Sequence, residues 1–362
     1  MTDYAYIHIP FCRSKCKYCA FTSFINLDLI EDYINSLLVE IDYYYDKTPL
    51  KTLYFGGGTP GVLKINQIEK IMEKFNFDIN PEITIELNPD NIDFKYLKEL
   101  YNLKINRISF GIQTFNDEIL KEIGRKHTSI EAVQKIFSAK EAGFKNISAD
   151  LIYGLPNQTL DDFIYDLFSI KKLDIEHIST YGLKIEDRTY YKKYPPKNLA
   201  DDELQSKMYE IIPDILDNFY HYEISNFAKN KNFISRHNTN YWNLNPYFGF
   251  GAGASGFEDN IRYKNTDNIK KYILDPKNSR EEKIKLENKD LEEEMIFLGF
   301  RKLEGIDINL INKKFNIDFN QKYKKILDKY INSGHIEKTF RGCKLTEKGI
   351  LISNYILCDF LC

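Results

Sequence analysis

Cys12, Cys16 and Cys19 are spaced C-x3-C-x2-C within YIHIPFCRSKCKYCAF, near the start of a chain with six cysteines. Thiolates this close together can converge on one cubic 4Fe–4S cluster. Three of them then ligate three irons, and the fourth iron stays open to an exchangeable ligand. An open iron implies chemistry or ligand exchange. A structural zinc site usually draws four ligands from paired C-x-x-C groups, and the nearest extra donor here, His8, lies upstream of any such pair. A disulfide framework needs an oxidising compartment. The chain runs from Met1-Thr2-Asp3 into apparent structure with no charged-then-apolar leader, so a cytoplasmic setting is expected. Cys343, Cys358 and Cys362, far off near the C-terminus, read as ordinary thiols.

Further residues suited to holding a ligand follow in order. In Gly56-Gly57-Gly58-Thr59-Pro60, successive glycines let a ligand approach the backbone where a Cβ would block it, and Thr59 adds a hydroxyl. No G-K-[ST] follows, which disfavours a phosphate loop. An amino-acid-like ligand on an open iron needs its amine held by such exposed backbone groups. Glu86, in Glu86-Leu87-Asn88-Pro89, and Gln113, in the block beginning at Arg107, are charged or amide side chains at strand ends that can hold the hydroxyls of a ribose or an α-carboxylate. Arg125 and Asp150 can pair with opposite charges on the same ligand.

The elements that must position these residues alternate over the first two hundred positions. Residues 4–9, 52–55, 83–87, 107–110, 147–152 and 177–183 are β-branched and aromatic runs ending in Gly, Pro or Asn, and they predict strands. Residues 27–45, 65–75, 94–101, 130–142 and 160–171 carry apolar residues at helical spacing. This βαβα order implies a parallel sheet. It lacks a dinucleotide fingerprint after the first strand, so a closed or partial α/β barrel is expected, with its site at the C-terminal strand ends. The cysteine loop and the glycine stretch follow the first two strands, as that geometry requires.

Three regions are expected: a barrel over 1–225, a barrel-closing segment and linker over 226–290, and a helical, winged-helix-like module over 291–362. Residues 279–290 read as a solvated helix or linker, and 335–339 with 343–346 as a small hairpin. A composition of 43% hydrophobic and 28% charged residues describes a globular protein, and the apolar stretch 295–300 is far too short to span a bilayer. With a formal net charge of −3 there is no global basic face for nucleic acid.

Taken together, these motifs resemble the radical S-adenosylmethionine superfamily. Cys12-x3-Cys16-x2-Cys19, the glycine stretch, Glu86, the block from Arg107 to Gln113, Arg125 and Asp150-Leu-Ile-Tyr-Gly154-Leu-Pro156 occur in the superfamily's order. Within it, YIHIPFC and the C-terminal tail are similar to the oxygen-independent coproporphyrinogen III dehydrogenases and to the HemW family of haem chaperones. The resemblance implies that the three cysteines hold the 4Fe–4S cluster. It also implies that Tyr6, Gly57, Gly58, Thr59, Glu86, Gln113, Arg125 and Asp150 surround S-adenosylmethionine, whose cleavage could yield a deoxyadenosyl radical.

Three features favour the chaperones over the dehydrogenases. Phe21 stands where the dehydrogenases continue to a further cysteine. Only eleven residues precede Cys12, so the longer leading segment of the dehydrogenases is missing. His237-Asn238-Thr239-Asn240-Tyr241-Trp242 matches the H-N-x-x-Y-W element of the haem chaperones and holds the one tryptophan of the chain. His237 is then the expected axial ligand of haem, with Tyr241 and Trp242 against the macrocycle. Ser255, in the following glycine-rich loop, replaces a histidine common in relatives. The expected function is haem binding and transfer to haem-requiring acceptor proteins, membrane-bound ones included. The alternatives are oxidative decarboxylation of coproporphyrinogen III and, through the C-terminal module, modification of nucleic acid.

Overall fold

The β-branched and aromatic runs form six parallel strands: β1 (Tyr4–Ile9), β2 (Leu50–Gly57), β3 (Phe77–Leu87), β4 (Arg107–Gln113), β5 (Ile147–Tyr153) and β6 (His177–Gly182). The computed structural model describes residues 2–90 and 92–361, so Cys362 lies outside the described residues. Between the strands run α1 (Ile30–Tyr44), α2 (Ile65–Met72), α3 (Phe94–Asn102), α4 (Asp117–Glu122), α5 (Ser129–Ala142) and α6 (Leu160–Lys172). Their starts are set by local chemistry. Thr128 with Glu131, and Thr159 with Asp162, form reciprocal capping boxes that satisfy the first free N–H groups of α5 and α6. After β6 come α7 (Tyr190–Lys193) and α8 (Asp202–Ile215).

Three short strands complete the sheet. β7 (Tyr220–Glu223) and β8 (Asn226–Ala228) run antiparallel beyond β6, and β9 (Phe248–Phe250) adds in parallel to the outer edge of β1. The order is β7-β8-β6-β5-β4-β3-β2-β1-β9. The two ends do not pair, so the expected barrel takes its partial, open form. Ile7, Phe55, Ile85, Ile108, Leu151 and Ile178 are buried along these strands in one hydrophobic core. Between β8 and β9 lies α9 (Arg236–Trp242), so the H-N-x-x-Y-W residues are helical and not a loop. Ser235 caps this helix by accepting from the Asn238 N–H.

Residues 279–290 are not the expected solvated helix or linker. They contain β12 (Arg280–Lys285), the edge of a small antiparallel sheet with β10 (Ser255–Glu258) and β11 (Ile261–Asn265). The side chains of β12 are largely exposed, so its charges sit on a strand whose structure comes from backbone pairing to β11. α10 (Ile269–Leu274) bridges β11 and β12.

The chain then forms α11 (Asn288–Gly299), β13 (Ile306–Asp307), α12 (Ile308–Phe315), α13 (Phe319–Lys322), α14 (Lys324–Asn332), β14 (Ile336–Lys338), β15 (Gly342–Leu345), α15 (Glu347–Leu351) and α16 (Ser353–Cys358). The expected helices and hairpin are both present. The module is tied to the barrel edge: Ile224 N–H donates to Arg301 O and Leu303 N–H to Tyr222 O, each at 3.1 Å. Among the described residues, no helix is long and apolar enough to cross a membrane.

Candidate functional site

The loop after β1 is fixed at both ends. Cys12 N–H donates to Phe24 O at 3.0 Å and Phe24 N–H to Pro10 O at 2.8 Å, while Lys17 N–H reaches Ile123 O at 3.1 Å. Cys12, 9% exposed, and the half-buried Cys16 and Cys19 face one cavity. The Thr59 hydroxyl donates to Cys12 Sγ at 3.4 Å and Arg125 Nη1 to Cys16 Sγ at 3.6 Å. Burial pushes the Cys12 and Cys19 thiols up, so ionising them calls for a compensating positive centre. A bound iron cluster supplies one.

His8 is not a fourth ligand. Its Nε2 donates to Thr22 O at 2.9 Å, and Nδ1 accepts from the Tyr6 hydroxyl at 3.0 Å. Burial pushes its pKa down, which keeps this neutral arrangement. Among the described residues, no three His, Cys, Asp or Glu groups are grouped to hold a single metal ion. A cubic cluster asks something different, because each thiolate takes its own iron. The soft donor set, the hydrogen bonds to sulfur and the open space beyond all fit such a cluster.

The cavity holds about 450 Å³, within the range of small-molecule sites. Gly57 adopts φ +108°, and a Cβ there would lie 2.5 Å from the His8 ring. A Cβ on Gly58 would lie 2.7 Å from Phe11 O, so both positions require glycine. Gly57 N–H donates to Glu86 Oε2 at 3.3 Å, and the Tyr54 hydroxyl to Glu86 Oε1 at 2.8 Å. Burial, against these two hydrogen bonds and helped by the Asp150 charge, pushes the Glu86 carboxyl up to about 7. Burial likewise raises Asp150, which accepts from the Ser109 hydroxyl at 3.2 Å. Gln113 sits at φ +73°, a rare conformation for a side-chain-bearing residue, where β4 slips register against β5. Arg125 Nη2 donates to Gly111 O and to Asn88 Oδ1, and Asn88 Nδ2 donates to Thr59 Oγ1 at 3.1 Å. Thr59, Asn88 and Arg125 thus link the glycine loop to Cys16.

Gly57, Gly58, Thr59, Glu86, Gln113, Arg125 and Asp150 all line this cavity with the cysteines. Tyr6 does not; its hydroxyl is engaged by His8 and its ring is stacked with Tyr54, centroids 6.1 Å apart. His237 is also absent from the lining. It is 1% exposed, with Nδ1 2.6 Å from the Thr52 hydroxyl and Nε2 2.8 Å from the Tyr241 hydroxyl. Its ring stacks on Tyr54 at 4.9 Å, and the Trp242 ring lies under the Arg301 guanidinium at 4.5 Å. Its neighbour Asn238 does reach the cavity.

The sequence reading did not single out Tyr18, Tyr54, Ser109, Ser179 and Tyr181, which also form the walls. The available signal was strand alternation: Arg107, Ser109, Gly111 and Gln113 are the inward set of β4.

A Radical SAM superfamily model matches residues 6–169, and a HemN C-terminal domain model matches residues 286–352. Heme chaperone HemW of Lactococcus lactis subsp. lactis is 36% identical, over 99% of this chain and 97% of that protein. Heme chaperone HemW of Bacillus subtilis is 36% identical, over 99% and 98%. The chain belongs to the HemW family. Its HemW fold is shared with the solved coproporphyrinogen III oxidase HemN of Escherichia coli, a radical SAM enzyme. That structure has a TM-score of 0.87 and 22% identity, over 99% of this chain and 89% of that one. At that identity the likeness shows fold alone. The Radical SAM superfamily match, which spans the cysteine loop, implies a 4Fe–4S cluster and S-adenosylmethionine.

Proposed function

We propose that this chain is a haem chaperone: it binds haem, holds a 4Fe–4S cluster and S-adenosylmethionine at the cysteine loop, and passes haem to acceptor haemoproteins. The observation that carries this reading is its end-to-end likeness to proteins named as haem chaperones. Phe21 agrees with it. An apolar ring, 65% exposed, lines the cavity where the dehydrogenases place a further sulfur.

Cys12, Cys16 and Cys19 would hold the cluster. Gly57 and Gly58 line the cavity where the methionyl group would lie, their N–H groups already given to Glu86 and Ile9, and Glu86 and Gln113 offer acceptors to its amine and to the ribose. Asp150 accepts hydroxyl donors, while Arg125 supplies positive charge beside Cys16. When bound, cluster and S-adenosylmethionine supply radical chemistry or a ligand-dependent redox state. We place the protein in the cytoplasm, with its haem acceptors including membrane proteins. His237 would hold haem through Nε2, the nitrogen now paired with the Tyr241 hydroxyl.

The second reading, coproporphyrinogen III decarboxylation, is kept because a HemN C-terminal domain model matches residues 286–352. The test is anaerobic cluster reconstitution followed by haem titration and a separate coproporphyrinogen assay. Stoichiometric haem binding without protoporphyrinogen formation is expected, and robust turnover would overturn the chaperone reading. A nucleic-acid role for the C-terminal module would show as salt-sensitive RNA or DNA binding, which is not expected.

A further inference from the structure

Arg107 begins β4 and is 2% exposed, yet among the described residues its guanidinium has no hydrogen bond or ion pair, and Nε is buried without an acceptor. It lines the cavity beside Tyr54, Ser109, Ser179 and Asn238. The acids whose charge it feels have other partners. Glu82 accepts from the backbone N–H groups of Arg236 at 3.1 Å and His237 at 3.0 Å, and Asp150 accepts from Ser109 at 3.2 Å.

Two buried histidines also feel that charge and offer it nothing. His177 has Nδ1 on the Ser148 hydroxyl and Nε2 on the Tyr222 hydroxyl, each at 2.8 Å, and His237 is similarly engaged at both nitrogens. Burial first, and Arg107 second, keep both histidines neutral. The charges of Glu82 and Asp150 favour the buried guanidinium from a distance, and its planar fork, with no carboxylate in contact, is suited to one.

Position matters as well. Arg107 lies six residues before Gln113, about 20 Å along a strand, so it is remote from the cysteine end. Nearer that end the walls include Tyr18, Phe21, Ile152 and Leu183. A cavity with apolar wall residues at its mouth and a cation without a contacting partner among its polar wall residues fits an apolar molecule that carries carboxylate tails.

We propose that Arg107 is a carboxylate-binding subsite in the cavity and takes a propionate of the tetrapyrrole cargo; the cargo's identity rests on the haem reading above. The experiment titrates haem and haem dimethyl ester into the reconstituted full chain, its R107M variant and its R107K variant. R107M is expected to bind haem at least tenfold more weakly, with R107K in between. The ester is expected to bind wild type weakly and R107M no worse. Because the substitution takes away a charge that favours the nearby Glu82, Asp150 and Glu86 carboxylates without touching them, the melting temperature of R107M is expected to fall only modestly.

Undiminished haem binding by R107M, or equally tight ester and acid in wild type, overturns the subsite and leaves the haem reading standing. A steep loss of melting temperature in R107M also overturns it, by marking Arg107 as a structural partner. If wild type binds no haem, the haem reading fails by itself. Titration of ¹³C-propionate followed by NMR then decides the subsite: saturable binding lost in R107M supports it, and none overturns it.

Discussion

The Tyr54 hydroxyl donates a 2.8 Å hydrogen bond to Glu86 Oε1 while the Tyr54 ring stacks on His237. One side chain therefore touches both the carboxylate expected to hold S-adenosylmethionine and the H-N-x-x-Y-W helix. Removing the hydroxyl in Tyr54→Phe takes a donor from Glu86, so its carboxyl rises further and less of it is ionised at neutral pH. A hydrogen bond to a charged group contributes about 1.5–3 kcal/mol. S-adenosylmethionine binding at pH 7, measured calorimetrically, is expected to weaken about tenfold, with most of the loss recovered at pH 9.

Glu86 also predicts how the apo-protein responds to pH. Its folded carboxyl stands near 7, above its ordinary value, because burial disfavours the charge. The folded state therefore binds this proton more tightly than the unfolded state, so the stabilisation is fully present below the ordinary carboxyl range. It is lost as pH rises toward and through about 7. Below about pH 6.5 the histidines that burial keeps neutral, His8, His127, His177, His221 and His237, act in the opposite sense, because the unfolded chain binds their protons. Thermal melts of the apo-protein should therefore show a falling melting temperature from about pH 6.5 to 8, and Glu86→Gln should flatten part of that slope. Asp166 and Glu258, both raised to about 7 chiefly by burial, maintain the remainder.

The three cysteines are expected to be individually necessary for the cluster. Cys12→Ser, Cys16→Ser and Cys19→Ser should each lose most iron and sulfide after anaerobic reconstitution. Cys343→Ser, buried in the C-terminal module, should retain full loading. Elemental analysis and the visible absorption band check this, and full loading of Cys19→Ser would remove it from the ligand set.

These residues were legible because cluster chemistry is written in spacing, and the parallel strands because their β-branched runs are buried on both faces. Other parts were hidden for definite reasons. Arg280-Glu281-Glu282-Lys283 has no apolar face, so nothing local marks β12; its pairing with β11 is a non-local contact. The His237 segment contains weak helix formers, and α9 forms through the Ser235 cap and the two Glu82 hydrogen bonds to its first N–H groups. Arg107 was visible only as part of a family block. Its lack of a partner depends on where Glu82 and Asp150 send their oxygens, which no sequence window contains.

For His237, the structure predicts opposite effects from two neighbouring changes. Burial and the Arg107 charge hold its pKa down at about 3, so the ring is neutral and chemically able to bind iron. Its Nε2 is occupied by the Tyr241 hydroxyl. His237→Ala should abolish the haem Soret shift. Tyr241→Phe frees Nε2 of a competitor worth about 1 kcal/mol and should tighten haem binding several-fold. Weakening by both variants would instead assign the pair a structural role.

The last prediction concerns the edge where β9 joins the sheet. Glu40 on α1 is fully buried, and its carboxylate accepts from Gly251 N–H at 2.8 Å, Asn265 Nδ2 at 2.7 Å and the Tyr272 hydroxyl at 2.5 Å. These partners come from the turn after β9, from β11 and from α10, so one side chain ties three elements to α1. Burial raises its pKa, opposed by the three donors. Glu40→Ala removes the acceptor and leaves those donors buried without partners, a change expected to cost about 3 kcal/mol or more. Glu40→Gln keeps the volume and one acceptor oxygen, and should cost less. Urea melts followed by circular dichroism measure both, and equal stability of Glu40→Ala and wild type would show that water replaces the carboxylate in full.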